Sequence, residues 1–312
     1  MKTALITGAF GQDGYFLTKK LVEMGSCNII CTSHAFKQKL DSIYKHKNVE
    51  VEVLDIRNEY AIFNIIKKYK PDELYHFASF SAPILSWDDP KEVTSINGDS
   101  TIYFLDAVRL FSNKTKFFFA SSAKIFGKPK ECPQTETTSV DPQDPYSLGK
   151  YIGHQTVKLY RTKYKIFACN GILYNHESHL KNLNFVVYKI CHFAKLLKQK
   201  KIDFFSLLNF DSKIDMGDPR DYVDAMHLIL QQDLQDDYII SMNKSISIKE
   251  ICLIVGKILN IKNILSYIKI ENKFNQNKTI FRGDNSNLKK IGWFPKYSTE
   301  DTIKFILDNL TN

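Results

Sequence analysis

The chain has 312 residues, 44% of them hydrophobic and 25% charged, with a formal net charge of +9. That is enough chain for one large domain or two modest ones with a core that needs no disulfides, and the composition excludes a disordered or collagen-like protein. The lysines are dispersed, and the short runs at 67–70 and 195–201 read as solvated helix ends rather than a nucleic-acid surface, while the basic balance suits an anionic small substrate.

Strands and helices alternate from the first residues. Lys2–Thr7 reads as a short buried strand, and the apolar spacing of Phe16, Leu17, Leu21 and Val22 predicts a helix over 13–24 that stops at Gly25. Strands are expected at 27–32 and 49–54, and then a helix at 59–69 closed by Pro71. A strand at 73–78, a long helix at 93–111, an apolar strand at 115–120, a helix at 146–164 and a strand at 165–172 follow. This order predicts an α/β protein with a Rossmann-type, doubly wound parallel sheet over residues 1–175. From 176 to 312 the pattern loosens into helices near 185–200, 221–232, 247–259 and 299–310, with short strands between them. We read this as a smaller mixed α/β lobe that binds the substrate and returns segments to the first domain.

The six cysteines show neither a CxxC pair nor zinc spacing, so they read as buried thiols in a reducing, cytoplasmic compartment, with no metal site. Met1 leads straight into the first strand without the features of a signal peptide, and no apolar run is long enough for a membrane span.

The segment Gly8-Ala9-Phe10-Gly11-Gln12-Asp13-Gly14 follows the first strand directly and opens a helix. In that context a GxxGxxG pattern has a mechanism. Gly8 permits a tight turn, Gly11 lets the backbone approach a pyrophosphate, and Gly14 lets the helix pack on the strand, whose N-terminus then faces the phosphates. Asp55 with Ile56, and Phe77-Ala78-Ser79, end the third and fourth strands beside the expected path of a dinucleotide. The second strand ends Cys31-Thr32-Ser33-His34 with no acidic residue to grip a ribose 2′-hydroxyl. With His34 and Lys37 nearby, NADP(H) is favoured over NAD(H).

Tyr146 and Lys150 are spaced i, i+4 at the start of a helix, which puts both on one face. A neighbouring ammonium is expected to lower the tyrosine's pKa toward working pH. The hydroxyl pair Ser121-Ser122 ends the preceding strand and could bind a substrate oxygen.

At these residues the chain resembles the extended short-chain dehydrogenase/reductases that act on nucleotide sugars, and within them the GDP-mannose 4,6-dehydratases. The start Ala4–Gly8 followed by Gly11-Gln12-Asp13-Gly14 carries that likeness, as does the stretch Ala168-Cys169-Asn170-Gly171-Ile172-Leu173-Tyr174-Asn175-His176-Glu177-Ser178. Asn209–Ser212, Asp221–Val223 and Leu288–Trp293 continue it. The resemblance implies that Tyr146 is the catalytic acid/base, Lys150 its cofactor-binding partner, Ser122 a hydroxyl in the place of a catalytic threonine, and His176 a cofactor contact. It implies a substrate side formed by Ser81, Ser122, Lys124, Asn175, Lys189 and Asn209, and a GDP-linked sugar as the favoured ligand. Lys181 stands where the family has an arginine.

The likeness breaks at informative places. The dehydratase pattern Ser-Thr-Ser-Glu-Leu-Tyr-Gly is here Ser121-Ser122-Ala123-Lys124-Ile125-Phe126-Gly127, so its Glu is Lys124. Elimination of water from C6 requires a carboxylate to take the C5 proton, and an ammonium cannot do so unless burial strongly depresses its pKa. The replacement resembles the Ser-Ser-Ala motif of UDP-galactose 4-epimerase and related reductases, which need only hydride transfer. Reduction at C4 of a GDP-4-keto-6-deoxy sugar is therefore favoured. A dehydratase with a displaced acid/base, for which Asp88 and Asp89 are candidates, a 4-epimerase and a catalytically silent sugar-binding paralogue remain alternatives. An expected nucleotide-binding arginine is Ile214, and the family's Arg-Pro-x-Glu segment has no match around 273–282. The altered segment His179-Leu180-Lys181-Asn182 puts a tetramer in doubt, while a homodimer through the Tyr146-bearing helix is expected.

Overall fold

A computed structural model of the chain describes residues 1–35, 41–271 and 280–310. Its main sheet is built from β1 (Lys2–Thr7), β2 (Cys27–Ser33), β3 (Val49–Val53), β4 (Glu73–His76), β5 (Lys116–Ser122) and β6 (Ala168–Leu173). The helices between them are α1 (Gln12–Met24), α2 (Glu59–Tyr69), α3 (Pro90–Phe111) and α4 (Pro145–Tyr164).

The remaining elements are β7 (Asn175–His176), α5 (Val186–Lys198), β8 (Phe205–Leu207), β9 (Lys213–Gly217), α6 (Pro219–Leu230), β10 (Asp237–Ile240), β11 (Ser245–Ser247), α7 (Ile248–Ile258), β12 (Ile268–Ile270), α8 (Ser286–Lys290) and α9 (Thr299–Asn309). The main sheet has seven parallel strands in the order β10-β6-β5-β4-β1-β2-β3. The order reverses after β1, which opens a crevice at the carboxyl ends of β1 and β4. The fold is thus the expected Rossmann-type α/β class. The seventh strand comes from β10, beyond the sixth strand at which the sequence pattern stopped being readable.

One face of the sheet is covered by α1 and α6, with Phe16, Leu17, Leu21, Tyr222, Met226 and Ile229 in a common core. The other is covered by α2, α3 and α4 through Ile62, Ile66, Phe104, Val108 and Val157. A separate core joins α5, α7 and α9 to β8, β9 and β12.

Local chemistry explains where the boundaries differ from the sequence expectation. The strand predicted to reach Ala78 ends at His76, because the Phe77 and Ala78 N–H groups both donate to Thr7 Oγ1, at 3.1 and 3.0 Å, instead of to a neighbouring strand. The strand predicted from Lys165 begins at Ala168, because Lys165 takes the left-handed conformation (φ +57°) that terminates α4. Five of the six cysteines are buried and all six are unpaired, whereas Cys132 is exposed, against the expectation of six buried thiols. Among the described residues no helix is long and apolar enough to cross a membrane, and no group of three or more His, Cys, Asp or Glu side chains is placed to hold a metal.

Candidate active site

The glycine loop turns at Gly8, whose φ of +63° suits glycine, and the Gly11 N–H closes the turn on the Gly8 carbonyl at 2.9 Å. A Cβ on Gly8 would lie 2.8 Å from the Ala78 nitrogen, and one on Gly14 would lie 2.5 Å from both the Gly8 oxygen and the Ala9 Cα. A Cβ on Gly11 would meet only the Gly8 oxygen, at 3.2 Å, so its outer side is open to close approach. Gly11 caps α1 without a side chain, leaving first-turn N–H groups facing outward. These features fit a dinucleotide pyrophosphate. The Phe10 ring packs tilted against Tyr44 with centroids 4.4 Å apart, and the Tyr44 hydroxyl donates to the Ala9 carbonyl at 2.7 Å.

Behind the loop runs a closed hydrogen-bond chain that sequence reasoning did not find. Thr7 Oγ1 accepts the two N–H groups named above and donates to His76 Nδ1 at 2.8 Å. His76 Nε2 donates to Ser100 Oγ at 3.1 Å, and the Ser100 hydroxyl donates to the Ile96 carbonyl at 2.6 Å. Burial pulls His76 down to about 3, with Lys150 adding to the effect, so the ring is neutral and each nitrogen has one role. The chain pins the ends of β1 and β4 to α3. Nearby, the buried Asn97 side chain grips the Phe80 backbone with both its ends, at 2.8 and 3.1 Å, and positions the Phe77–Ser81 segment.

Asp13 and His176 link the loop to β7. Asp13 accepts from His176 Nε2 at 2.8 Å, and the other ring nitrogen, Nδ1, donates to the Tyr174 carbonyl at 2.8 Å. Burial by itself would raise the Asp13 carboxyl, but His176 and Lys181 outweigh it and hold the group at about 2. The imidazole stacks on Tyr222 at 4.5 Å. Gln12 donates to the His176 carbonyl and accepts from the Ser178 hydroxyl. His176 therefore stands beside the loop with its ring already engaged.

Helix α4 packs closely against both α3 and β5. Cβ atoms on Gly149 and Gly153 would fall 2.7 Å from Asn97 Cβ and 2.5 Å from the Phe119 ring. Asp144 caps the helix in a reciprocal capping box with Ser147, and Pro145 occupies its first turn. This brings Tyr146 within hydrogen-bond reach of Ser122. Burial pushes Tyr146 up to about 12, with the Ser122 hydrogen bond opposing it. Burial also pulls Lys150 down to about 7, and its Nζ donates to the Ala120 carbonyl at 2.8 Å. The expected lowering of the tyrosine is thus reversed. Lys150 turns toward a backbone carbonyl, and desolvation of the phenolate decides the direction.

Lys124 begins the short turn after Ser122, whose Oγ accepts its N–H at 3.2 Å. Its side chain reaches solvent from a recess, with Nζ 5.1 Å from the centre of the Phe281 ring. Crowding by the protein holds its ammonium below ordinary lysine, and Asp144 opposes that shift.

The other expected residues are more scattered. Asp55 is held by Arg57 in a two-pronged pair at 2.7–3.1 Å, and Arg57 continues to Glu92 at 2.7 Å. The Ile56 side chain is buried in the core, so any ligand contact there would be through backbone. Ser79 is half-buried, Ser81 and Asn175 are exposed, and Lys189 is half-buried on α5. Asn209 turns its side-chain oxygen to the Ser212 N–H at 2.9 Å. Asp89 caps α3 through the Glu92 N–H, so it is committed to the helix, and Asp88 is exposed beside it. His34 is exposed after β2, and Lys37 lies outside the described residues.

The sequence profile of the GDP-mannose 4,6-dehydratases matches residues 5–306. The chain belongs to the GDP-mannose 4,6-dehydratase family. GDP-mannose 4,6 dehydratase 2 of Caenorhabditis elegans is 30% identical over 97% of this chain and 87% of its own length. The Cricetulus griseus GDP-mannose 4,6 dehydratase is 35% identical over 80% of this chain and 70% of its own. Among solved structures, the UDP-glucose 4-epimerase of Thermotoga maritima with UDP-glucose superposes with a TM-score of 0.85 at 18% identity, covering 98% of this chain and 97% of that one. RMD from Pseudomonas aeruginosa complexed with NADPH gives 0.85 at 17%, covering 99% of each. At these identities the structural likeness concerns the fold, and it places this member of the dehydratase family among epimerase and dehydratase architectures.

Proposed function

We propose that this protein is an NADP(H)-dependent reductase of a nucleotide sugar, favouring a GDP-linked 4-keto-6-deoxy sugar, with Ser122, Tyr146 and Lys150 at the reacting oxygen. The observation that carries the reading is Lys124, an amine in the site beside Ser122 where elimination would need a carboxylate. When bound, the dihydronicotinamide supplies the hydride that C4 takes up. Ser122 donates a hydrogen bond to O4, and the Tyr146 hydroxyl gives O4 its proton. A tyrosine held near 12 is protonated at neutral pH, which is the state a proton donor needs. Lys150, one helical turn on and held on the Ala120 carbonyl, would offset the charge left on the phenolate in its protonated form, which burial makes available only below about pH 7. Gly8, Phe10, Gly11 and Gly14 would cradle the pyrophosphate.

A dehydratase is the second reading, supported by the chain's membership of the GDP-mannose 4,6-dehydratase family. Asp144 near Lys124 caps α4 through the Ser147 N–H, as Asp89 caps α3, so neither is a free base. Exposed Leu148 and Leu159 on α4 support pairing of two copies through that helix. The unpaired thiols support a reducing, cytoplasmic setting.

Mass spectrometry separates the two readings. The enzyme is incubated with GDP-mannose, and separately with its 4-keto-6-deoxy derivative plus NADPH. Reduction adds two hydrogens to the keto sugar and leaves GDP-mannose intact. Loss of water from GDP-mannose would overturn the reductase assignment. The Lys124→Glu variant is expected to gain water loss.

A further inference from the structure

We propose that His154 is a positioning residue for the reaction, holding the end of β5 so that Ser122 stays aligned with Tyr146. The proposal rests on the reading that Ser122 and Tyr146 serve the reacting oxygen of the sugar, and it gives a role to a residue outside the Tyr146–Lys150 motif. The sequence offered Ser121 and Ser122 as a pair that could bind a substrate oxygen, and the structure divides them. Ser121 is buried and its hydroxyl meets His154 Nδ1 at 3.2 Å, whereas Ser122 is within hydrogen-bond reach of Tyr146.

Tyr146, Lys150 and His154 follow one another at one-turn spacing, so they share one face of α4. That face meets the end of β5 in three successive contacts. Tyr146 reaches Ser122, Lys150 Nζ donates to the Ala120 carbonyl at 2.8 Å, and His154 takes Ser121. The first two belong to groups that the reaction uses. The third belongs to a side chain buried within the fold. Ser121 and Ser122 are consecutive residues of β5, so a shift of the Ser121 anchor passes directly to Ser122.

The other side of the imidazole is fixed by a different strand. His154 Nε2 faces the carboxylate of Asp237, at the start of β10, at 3.7 Å. Asp237 also accepts from Arg161 at 3.0 Å and from Asn170 at 2.9 Å, and Lys158 Nζ lies 3.9 Å away. Asn170 Nδ2 donates in addition to the His154 carbonyl at 3.2 Å. Burial pulls His154 down to about 4 against the opposing pull of Asp237, so the ring is neutral. The carboxylate favours the proton on Nε2, which leaves Nδ1 to accept the Ser121 hydroxyl. The order Ser–His–Asp is that of a hydrolytic triad, but at 2% exposure Ser121 has no face open to a substrate. What the chain of contacts does is tie the end of β5 to α4 and, through Asp237, to the last strand of the sheet.

The test separates the two sides of the ring. An asparagine amide reaches the place of Nδ1 and a glutamine amide that of Nε2, so His154→Asn keeps the bond to Ser121 and His154→Gln keeps only the side toward Asp237. His154→Gln is expected to lower kcat for keto-sugar reduction by about tenfold or more with the KM for NADPH unchanged, and His154→Asn to retain most of the rate. In a Ser122→Ala background His154→Gln should cost nothing further, because the hydroxyl it positions is gone. Ser121→Ala removes the same bond from its other partner and serves if His154→Gln misfolds; it should show the same loss. Crystal structures of the variants read the placement directly, with Ser122 Oγ displaced from Tyr146 in His154→Gln and unmoved in His154→Asn. An unmoved Ser122 in His154→Gln would overturn the proposal, as would equal losses in the two variants or a full further loss in the Ser122→Ala background. Wild-type protein that leaves the keto sugar unreduced would remove the reductase, and the crystallographic comparison would still decide the role of His154.

Discussion

The two halves of the crevice are built differently. On the cofactor side, from Thr7 to Gly14 and across to His76 and His176, the polar groups largely answer one another: Thr7 with His76 and two backbone N–H groups, Asp13 with His176, and Gln12 with Ser178. On the substrate side, charged groups are left over, with Lys124 on an aromatic ring and Arg282 with a buried, unpartnered Nε. Self-satisfied networks rigidify a scaffold, and unmet groups mark where something else must complete the structure. The comparison teaches that around the loop folding itself pairs most polar groups, whereas across the crevice Lys124 and Arg282 keep donors that folding does not pair.

That contrast can be broken experimentally, beginning with the largest effect. Tyr146→Phe should lower keto-sugar reduction by about 10²–10⁴-fold without weakening NADPH binding or stability, because it removes a proton donor and keeps the ring. Steady-state rates with parallel thermal melts check this, and full activity would remove Tyr146 from the mechanism.

Gly14→Ala should act on the scaffold instead. Its methyl would enter backbone at 2.5 Å, so a loss of roughly 3 kcal/mol is expected together with weakened NADPH binding, read by urea unfolding and cofactor fluorescence. A stable variant with wild-type cofactor affinity would contradict the tightness of the loop.

Thr7→Val keeps the volume and removes the hydroxyl that three groups share. Stranding the Phe77 and Ala78 N–H groups and the buried His76 should cost roughly 2 kcal/mol, again by urea unfolding.

The smallest effect is a pH dependence. Asp13 is held near 2, below its ordinary 3.8, so its contribution is present above about pH 4 and fades as pH falls through 2. The difference amounts to at most about 2 kcal/mol. Asp13→Asn should flatten the stability profile over that window, and parallel profiles for the two proteins would show that the His176 pair adds nothing.

Much of this was legible in the sequence. Alternating periodicity gave the parallel sheet and most of its elements, and the glycine spacing placed the loop at the end of β1. The i, i+4 spacing of Tyr146 and Lys150 put both on one face of α4, because a helix turns through a fixed angle per residue. Composition likewise foreshadowed unpaired cysteines.

Other features arise only from packing. The seventh strand, β10, reaches the sheet only after β7, α5, β8, β9 and α6, and its four residues carry no periodic signal of their own. The Thr7–His76–Ser100 chain joins residues far apart in sequence, so no local pattern could announce it. Tyr146 ran opposite to expectation, since burial depends on what surrounds a side chain and not on its neighbour four residues away. His154 was one residue of a helix until Ser121 and Asp237 met it from two strands. The sequence by itself determined the secondary elements, the glycine loop and the pairing of Tyr146 with Lys150 on one helix face, because these follow from local spacing. The tertiary structure decided which charges are answered and which stand free, because desolvation and hydrogen-bond partnership exist only once distant segments meet.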